Sequence, residues 1–263
     1  MHIRSWVLPV FVLGLSASFA VGSHQQGRPE TVVPVVDEAP MKAHSYDWMA
    51  RHNAVVDRVK QGSVDLLLIG DSITHNWGGV PQPGGPGQPL WDKYFGSRNA
   101  VNLGFGWDRT QHVLWRLQNG EIDGINPKVA VVMIGTNNMG TNSSEDIATG
   151  IDTIVSTLRH KLPRMKILLL GIFPRDREPN TPNRKEIAEV NQKISVLGKY
   201  KNITYLDLSS TFLQPDGTIS PEIMKDYLHP TTKGHAIWAQ AMEPTLAKLF
   251  GDKPRDPDTS GNR

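Results

Sequence analysis

The sequence predicts an α/β fold: a three-layer α/β/α sandwich around a five-stranded, doubly wound parallel sheet. Three observations predict it. Five short runs are nearly all apolar rather than alternating, as strands covered on both faces require. Helical patterns fall between these runs, where parallel strands need crossovers, and cap and turn residues punctuate the boundaries.

In order, a helical pattern over Tyr46 to Lys60 precedes the first apolar run, Val64 to Ile69. The second run is Ala100 to Leu103, followed by a helix over Thr110 to Gln118 that ends at Asn119-Gly120, a residue pair suited to a C-cap. The third run, Val129 to Ile134, leads to a helix over Ser144 to Leu162, whose start carries Asn142-Ser143-Ser144-Glu145 as N-cap and first-turn acid. The fourth run, Ile167 to Phe173, and the fifth, Ile203 to Leu206, flank a helix over Arg184 to Tyr200. A last helix spans Thr232 to Phe250. The Gly/Pro-rich stretch Gly78 to Pro89 reads as a surface loop.

A chain of 263 residues, 38% hydrophobic, holds one sizeable core, and we assign one catalytic domain to residues 45–250. Residues 1–20 read as an export signal: Arg4, an apolar stretch from Trp6 to Leu15, then the small-residue site Ser18-Phe19-Ala20. That stretch is only about 10 residues against the ~20 that span a bilayer, so no membrane insertion is expected after cleavage. The expected location is the periplasm or the medium. Residues 21–44 read as a linker and 251–263 as a flexible tail. A net charge of +2 without a Lys/Arg-rich run excludes nucleic acid as a partner. With no cysteine, stability must come from the core.

Doubly wound sheets bind ligands beyond the carboxyl ends of their strands. The first run ends in Gly70-Asp71-Ser72-Ile73-Thr74, which places Ser72 at a strand-to-helix turn. An isolated serine there more often caps the helix, so this signal is weak alone. The third run ends in Gly135-Thr136-Asn137-Asn138, where an Asn amide can donate to an oxyanion or simply make a turn. Before the last helix stands Asp226-Tyr227-Leu228-His229-Pro230. An imidazole must be held in one tautomer to take a serine proton, and an Asp three residues before the His can do so on a bent loop. Of the nine histidines, His235 is the main rival, whereas His75 and His112 read as structural or pocket-lining.

Taken in order, Gly-Asp-Ser at 70–72, Asn-Leu-Gly-Phe-Gly-Trp-Asp at 102–108, Gly-Thr-Asn-Asn at 135–138 and Asp-x-x-His at 226–229 resemble the blocks of the SGNH (GDSL-like) hydrolases. Longer segments, Thr110 to Leu117, Asp216 to Ser220 and Asp226 to His229, resemble the catalytic subunits of the intracellular platelet-activating factor acetylhydrolases and related bacterial acetylesterases. The resemblance implies a flavodoxin-like sheet, a catalytic triad of Ser72, His229 and Asp226, and an oxyanion hole from the N–H groups of Ser72 and Trp107 with the Asn137 side chain. The family usually has Gly where Trp107 stands. A positive φ there would strain Trp107, and Gly104 or Gly106 would then be the substitute donor. Asp71, Gly104, Gly106 and Asn138 are expected to line the substrate site.

The resemblance further implies hydrolysis of short-chain esters, acetyl foremost, with no metal or organic cofactor. An acetylated carbohydrate stands slightly ahead of a phospholipid as substrate, because Trp77, Trp91 and Trp107 could stack on sugar rings. A phospholipid acetylhydrolase, lysophospholipase or thioesterase of the same fold is the first alternative. A non-catalytic glycan- or lipid-binding module is the second. A homodimer is conceivable by the same likeness. An α/β-hydrolase lipase is disfavoured, because Gly-Asp-Ser-Ile-Thr lacks the second Gly of the G-x-S-x-G elbow.

Overall fold

The computed structural model describes residues 27–38 and 45–256; the expected signal peptide at 1–20 lies outside the described residues. Five parallel strands, β1 (Leu66–Gly70), β2 (Ala100–Gly104), β3 (Val129–Met133), β4 (Lys166–Leu170) and β5 (Ile203–Leu206), form one sheet in the order β2-β1-β3-β4-β5. The chain leaves β1 for one side and returns to β3 on the other, so the switch point lies between the carboxyl ends of β1 and β3. Ser72 and Asn137 follow those two ends.

The apolar runs are continuous because each strand feeds two cores. Leu67 and Ile69 face a layer built from α1 (Trp48–Lys60), α4 (Thr110–Gln118), α5 (Ser144–Lys161) and α6 (Pro182–Ser195). Leu66 and Leu68 face the other layer, built from α3 (Gln88–Tyr94) and α7 (Thr232–Phe250) with the short α2 (Ser72–His75). Burial of such side chains on both faces is what holds the sheet at the centre.

Local signals set the helix ends. Asp47, Ser143, Thr181 and Thr231 each cap a helix by accepting a backbone N–H three residues on. Gly120 after α4 has φ +105°, a conformation glycine adopts without strain. The helix expected to run to Tyr200 instead ends at Ser195 and tightens into a 3-10 turn over Val196–Lys199. The fourth strand stops at Leu170, three residues before the end of its apolar run.

Three segments differ from expectation. The Gly/Pro-rich loop gives way to α3 at Gln88, with Pro89 at the helix start, where its missing N–H is harmless. In the expected linker, Glu30–Val32 form a 3-10 turn with Thr31 and Val32 buried, and Thr31 donates to Asp146 O at 2.7 Å. At the start of the expected tail, Asp252 pairs with the buried Arg98 at 2.8 Å, and Arg98 also grips Glu243. These pieces belong to the packed domain. Among the described residues, no helix is long and apolar enough to cross a membrane.

Candidate active site

Ser72 opens α2 directly after β1, and Asp71 caps that turn by accepting the Ile73 N–H at 2.9 Å. His229 lies on the loop before α7. Its Nε2 is 2.8 Å from Ser72 Oγ, and its Nδ1 is 2.6 Å from Asp226 Oδ2. The loop bends so that Asp226 Oδ1 also accepts the N–H groups of Leu228 and His229, at 3.2 and 2.8 Å, with Tyr227 at φ +58°. Burial alone would raise the Asp226 carboxyl, but hydrogen bonds from the His229 ring and the loop N–H groups hold it below its ordinary value.

Asn137 follows β3 on a 3-10 turn, and its Nδ2 donates to Asp108 O at 3.0 Å. Trp107 adopts φ +68°, the left-handed region where the family pattern has glycine, and the residue is 59% exposed. Side-chain hydrogen bonds hold the loop from Gly104 to Asp108 on both sides of that residue. Arg51 Nε donates to Gly104 O at 2.8 Å, Tyr46 Oη to Gly106 O at 3.0 Å, and Trp48 Nε1 and Arg116 Nε each to the Asp108 carboxylate at 2.8 Å. Arg116 in turn pairs with Glu121, whose other oxygen meets His52 Nδ1 at 2.9 Å. Although burial opposes it, Glu121 and Asp108 raise Arg116 above its ordinary value.

The four expected lining residues need correction. Asp71 is buried and spends its carboxylate on the cap. Asn138 is buried too, accepting from Thr110 N and donating to Gln111 and Asn142. Gly104 donates its N–H to Asn102 Oδ1 at 2.8 Å and Gly106 to His75 Nδ1 at 3.2 Å, so neither is available to replace Trp107 as donor. Burial, then the charges of Arg51 and Arg116, push His75 down to about 3, which keeps the ring neutral and able to accept that bond. His235 is buried in α7 against Trp77, with its Nδ1 on Thr231 O, and does not serve Ser72. Trp77 and Trp91 are core residues, 0% and 3% exposed, which leaves only Trp107 of the three to meet a ligand.

A cleft of about 690 Å³ opens over Ser72 and His229, lined also by Asn76, Pro86, Lys225, Asp226 and Thr232. A neighbouring pocket of about 450 Å³ takes in Trp107 and Asn137. It brings in Arg109, Arg175 and Asp37, which sequence reading missed. Arg175 follows the β4 run, so the rule that ligands lie beyond strand carboxyl ends pointed to it. Asp37 gave no signal, since it comes from the segment taken for a linker. Among the described residues, Asp37, Asp108 and His112 bring ligand atoms within 4.8 Å of one another. Their lone pairs are largely committed: Asp108 accepts from Trp48 and Arg116, and His112 Nδ1 accepts the Arg109 N–H at 3.2 Å.

Residues 68–237 match the GDSL-like Lipase/Acylhydrolase family. Among curated proteins, platelet-activating factor acetylhydrolase IB subunit alpha2 of Rattus norvegicus is 38% identical over 214 residues, covering 81% of this chain and 89% of that protein. The alpha1 subunit of Homo sapiens is 35% identical over 204 residues, covering 77% and 84%. Of solved structures, a GDSL-like lipase from Bacteroides thetaiotaomicron gives a TM-score of 0.59 at 17% identity, covering 76% of this chain and 96% of that one. A catalytic mutant of an acetylxylan esterase from Geobacillus stearothermophilus gives 0.58 at 18% identity, covering 73% and 96%. At such identities these two share the fold with this chain.

Proposed function

This chain belongs to the GDSL-like lipase/acylhydrolase family and is a carboxylic ester hydrolase, and from that premise we propose that it is an exported acetylesterase acting on acetylated carbohydrate through Ser72, His229 and Asp226. The observation that carries the assignment of the triad is the 2.8 Å contact between Ser72 Oγ and His229 Nε2, with Asp226 on the other ring nitrogen at 2.6 Å. A serine hydroxyl becomes nucleophilic only when a neutral, oriented imidazole takes its proton.

In the proposed reaction, Ser72 Oγ attacks the ester carbonyl as its proton passes to His229 Nε2. Asp226 holds the Nδ1 proton and stabilises the imidazolium. The tetrahedral oxyanion is met by the N–H groups of Ser72 and Trp107 and by the Asn137 amide, whose second N–H remains after the bond to Asp108 O. His229 then returns the proton to the leaving alcohol. Water, activated by the same imidazole, attacks the acyl-enzyme and releases the acid.

Support for a sugar rather than a long-chain lipid comes from the cleft. Asn76, Lys225, Asp226, Thr231 and Thr232 line it beside Pro86 and Pro230, a mixture of polar groups and apolar surface that suits the hydroxyls and the apolar ring face of a sugar. The names of the curated relatives favour a phospholipid acetyl ester as the second reading. Export rests on the pattern of residues 1–20, and N-terminal sequencing of the protein from a cell-free fraction checks it. For the triad, Ser72→Ala should stay folded and lose p-nitrophenyl acetate turnover by roughly 10⁴-fold or more. Retained turnover would reject the assignment.

A further inference from the structure

The pocket beside the oxyanion side of Ser72 contains two arginines against one carboxylate, Asp37, which stands 3.9 Å from His112 Nδ1. One of the arginines is built as a receptor. Arg175 lies just beyond β4, and its main chain is clamped by Arg184, whose Nε donates to Arg175 O at 2.5 Å and whose Nη2 donates to Asp176 O at 3.1 Å. The guanidinium itself is weakly held. Nη1 reaches Thr136 O and Oγ1 only at 3.4 and 3.3 Å, and the buried Nε makes no hydrogen bond. Asp176, 4.0 Å from that Nε, is already engaged by Thr181 at 2.7 Å and Asn183 at 3.0 Å.

Nε is enclosed, so a carboxylate would meet the Nη1 and Nη2 groups, which can offer it two parallel N–H bonds. Trp107, a residue 59% exposed, lines the same pocket and carries a flat indole. Apart from Met139, the other liners are polar or charged side chains. A two-carbon acyl group fills little of about 450 Å³. In the acetylesterase reading the occupant belongs to the alcohol side of the ester, and an exposed indole beside a guanidinium suits one that is ring-shaped and acidic.

We propose that this pocket is a subsite for a uronic acid unit: the substrate is an acetylated acidic carbohydrate whose carboxylate binds Arg175 and whose ring lies on Trp107. This deepens the esterase reading above and rests on it. The carboxylate anchors the sugar beside Trp107 and Asn137, two of the oxyanion donors proposed for an acetyl carbonyl attacked by Ser72. Neutral acetylated sugars lack that anchor.

The test compares acetylated oligogalacturonides with the same oligomers carrying methyl-esterified carboxylates, following acetate release by the wild-type chain. The free carboxylates should raise kcat/KM roughly tenfold or more, mainly through KM, and added salt should shrink the gain. In Arg175→Gln the ratio between the two substrates should fall toward one. A wild-type ratio near one, no release from either oligomer while p-nitrophenyl acetate is cleaved, or an undiminished ratio in Arg175→Gln each overturns the subsite. If Arg175→Gln does not fold, the wild-type ratio decides alone. Absence of turnover on p-nitrophenyl acetate as well would instead remove the esterase reading, and this subsite with it.

Discussion

The backbone carbonyl of Asp108 accepts the Asn137 amide at 3.0 Å, so one residue joins the loop after β2 to the turn after β3. Its N–H closes the preceding turn on Phe105 O at 3.2 Å, and its carboxylate is sunk between Trp48 and Arg116. The two proposed oxyanion donors outside Ser72, Trp107 N–H and the Asn137 side chain, are thereby set by a single anchor. That anchor is itself held by a buried ion-pair network of Asp108, Arg116 and Glu121.

That dependence predicts the effect of Arg116→Met. The substitution would leave the carboxylates of Asp108 and Glu121 buried without their shared cation. Removing one member of a buried pair destabilises by about 3–5 kcal/mol. A denaturant titration should show that loss, and a change under about 1 kcal/mol would mean the network is not holding the loop.

Asn137→Ala tests the other end of the link. It removes the proposed donor to charge that develops only in the transition state, so kcat should fall roughly 10²–10³-fold with KM nearly unchanged. Circular dichroism should match the wild type, because Asn137 is only half-buried. A rise in KM at constant kcat would instead make Asn137 a ground-state binding residue.

Trp107 separates backbone from side chain. At φ +68° the left-handed region strains any residue with a Cβ, and glycine adopts it without that penalty. Trp107→Gly should thus keep p-nitrophenyl acetate turnover within roughly fivefold while losing the indole surface, so KM for acetylated oligosaccharides rises. Trp107→Pro, which lacks the N–H and cannot reach that φ, should be inactive. Equal turnover by the Gly and Pro variants would dismiss the main chain of Trp107 as an oxyanion donor.

These tests fall on residues that the sequence displayed unequally. The meeting of Ser72, His229 and Asp226, and the place of Asn137 beyond β3, were legible because strand ends and loops carry such residues in short, ordered blocks. The sheet was legible because strands covered on both faces cannot hide their apolar runs. Asp71, Gly104, Gly106 and Asn138 sat in the same blocks and misled, since a block does not say which of its residues face the ligand and which tie the turn. Trp77 and Trp91 misled similarly, as aromatic rings serve cores and pockets alike. The packed turn at residues 30–32 and the docked Asp252 were invisible, because single buried side chains and one long-range ion pair leave no periodicity.

Asp71 carries the remaining prediction, which concerns pH. Burial lifts its carboxyl from 3.8 to about 7, against the opposing pull of the Ile73 N–H. Between those values the native state keeps a proton that the unfolded chain has released, so the slope of stability with pH is negative for this group. Its contribution is fully present below about pH 4, declines as pH rises, and is gone above about pH 7. Asp71→Asn keeps an oxygen to accept the Ile73 N–H and removes the ionisation. The stability of the variant relative to the wild type should therefore climb from pH 4.5 to pH 7 and level off above, as read from urea midpoints at about four pH values. Parallel curves across that range would show that the Asp71 carboxyl ionises in the folded chain much as it does in the unfolded one, despite its burial beneath the serine.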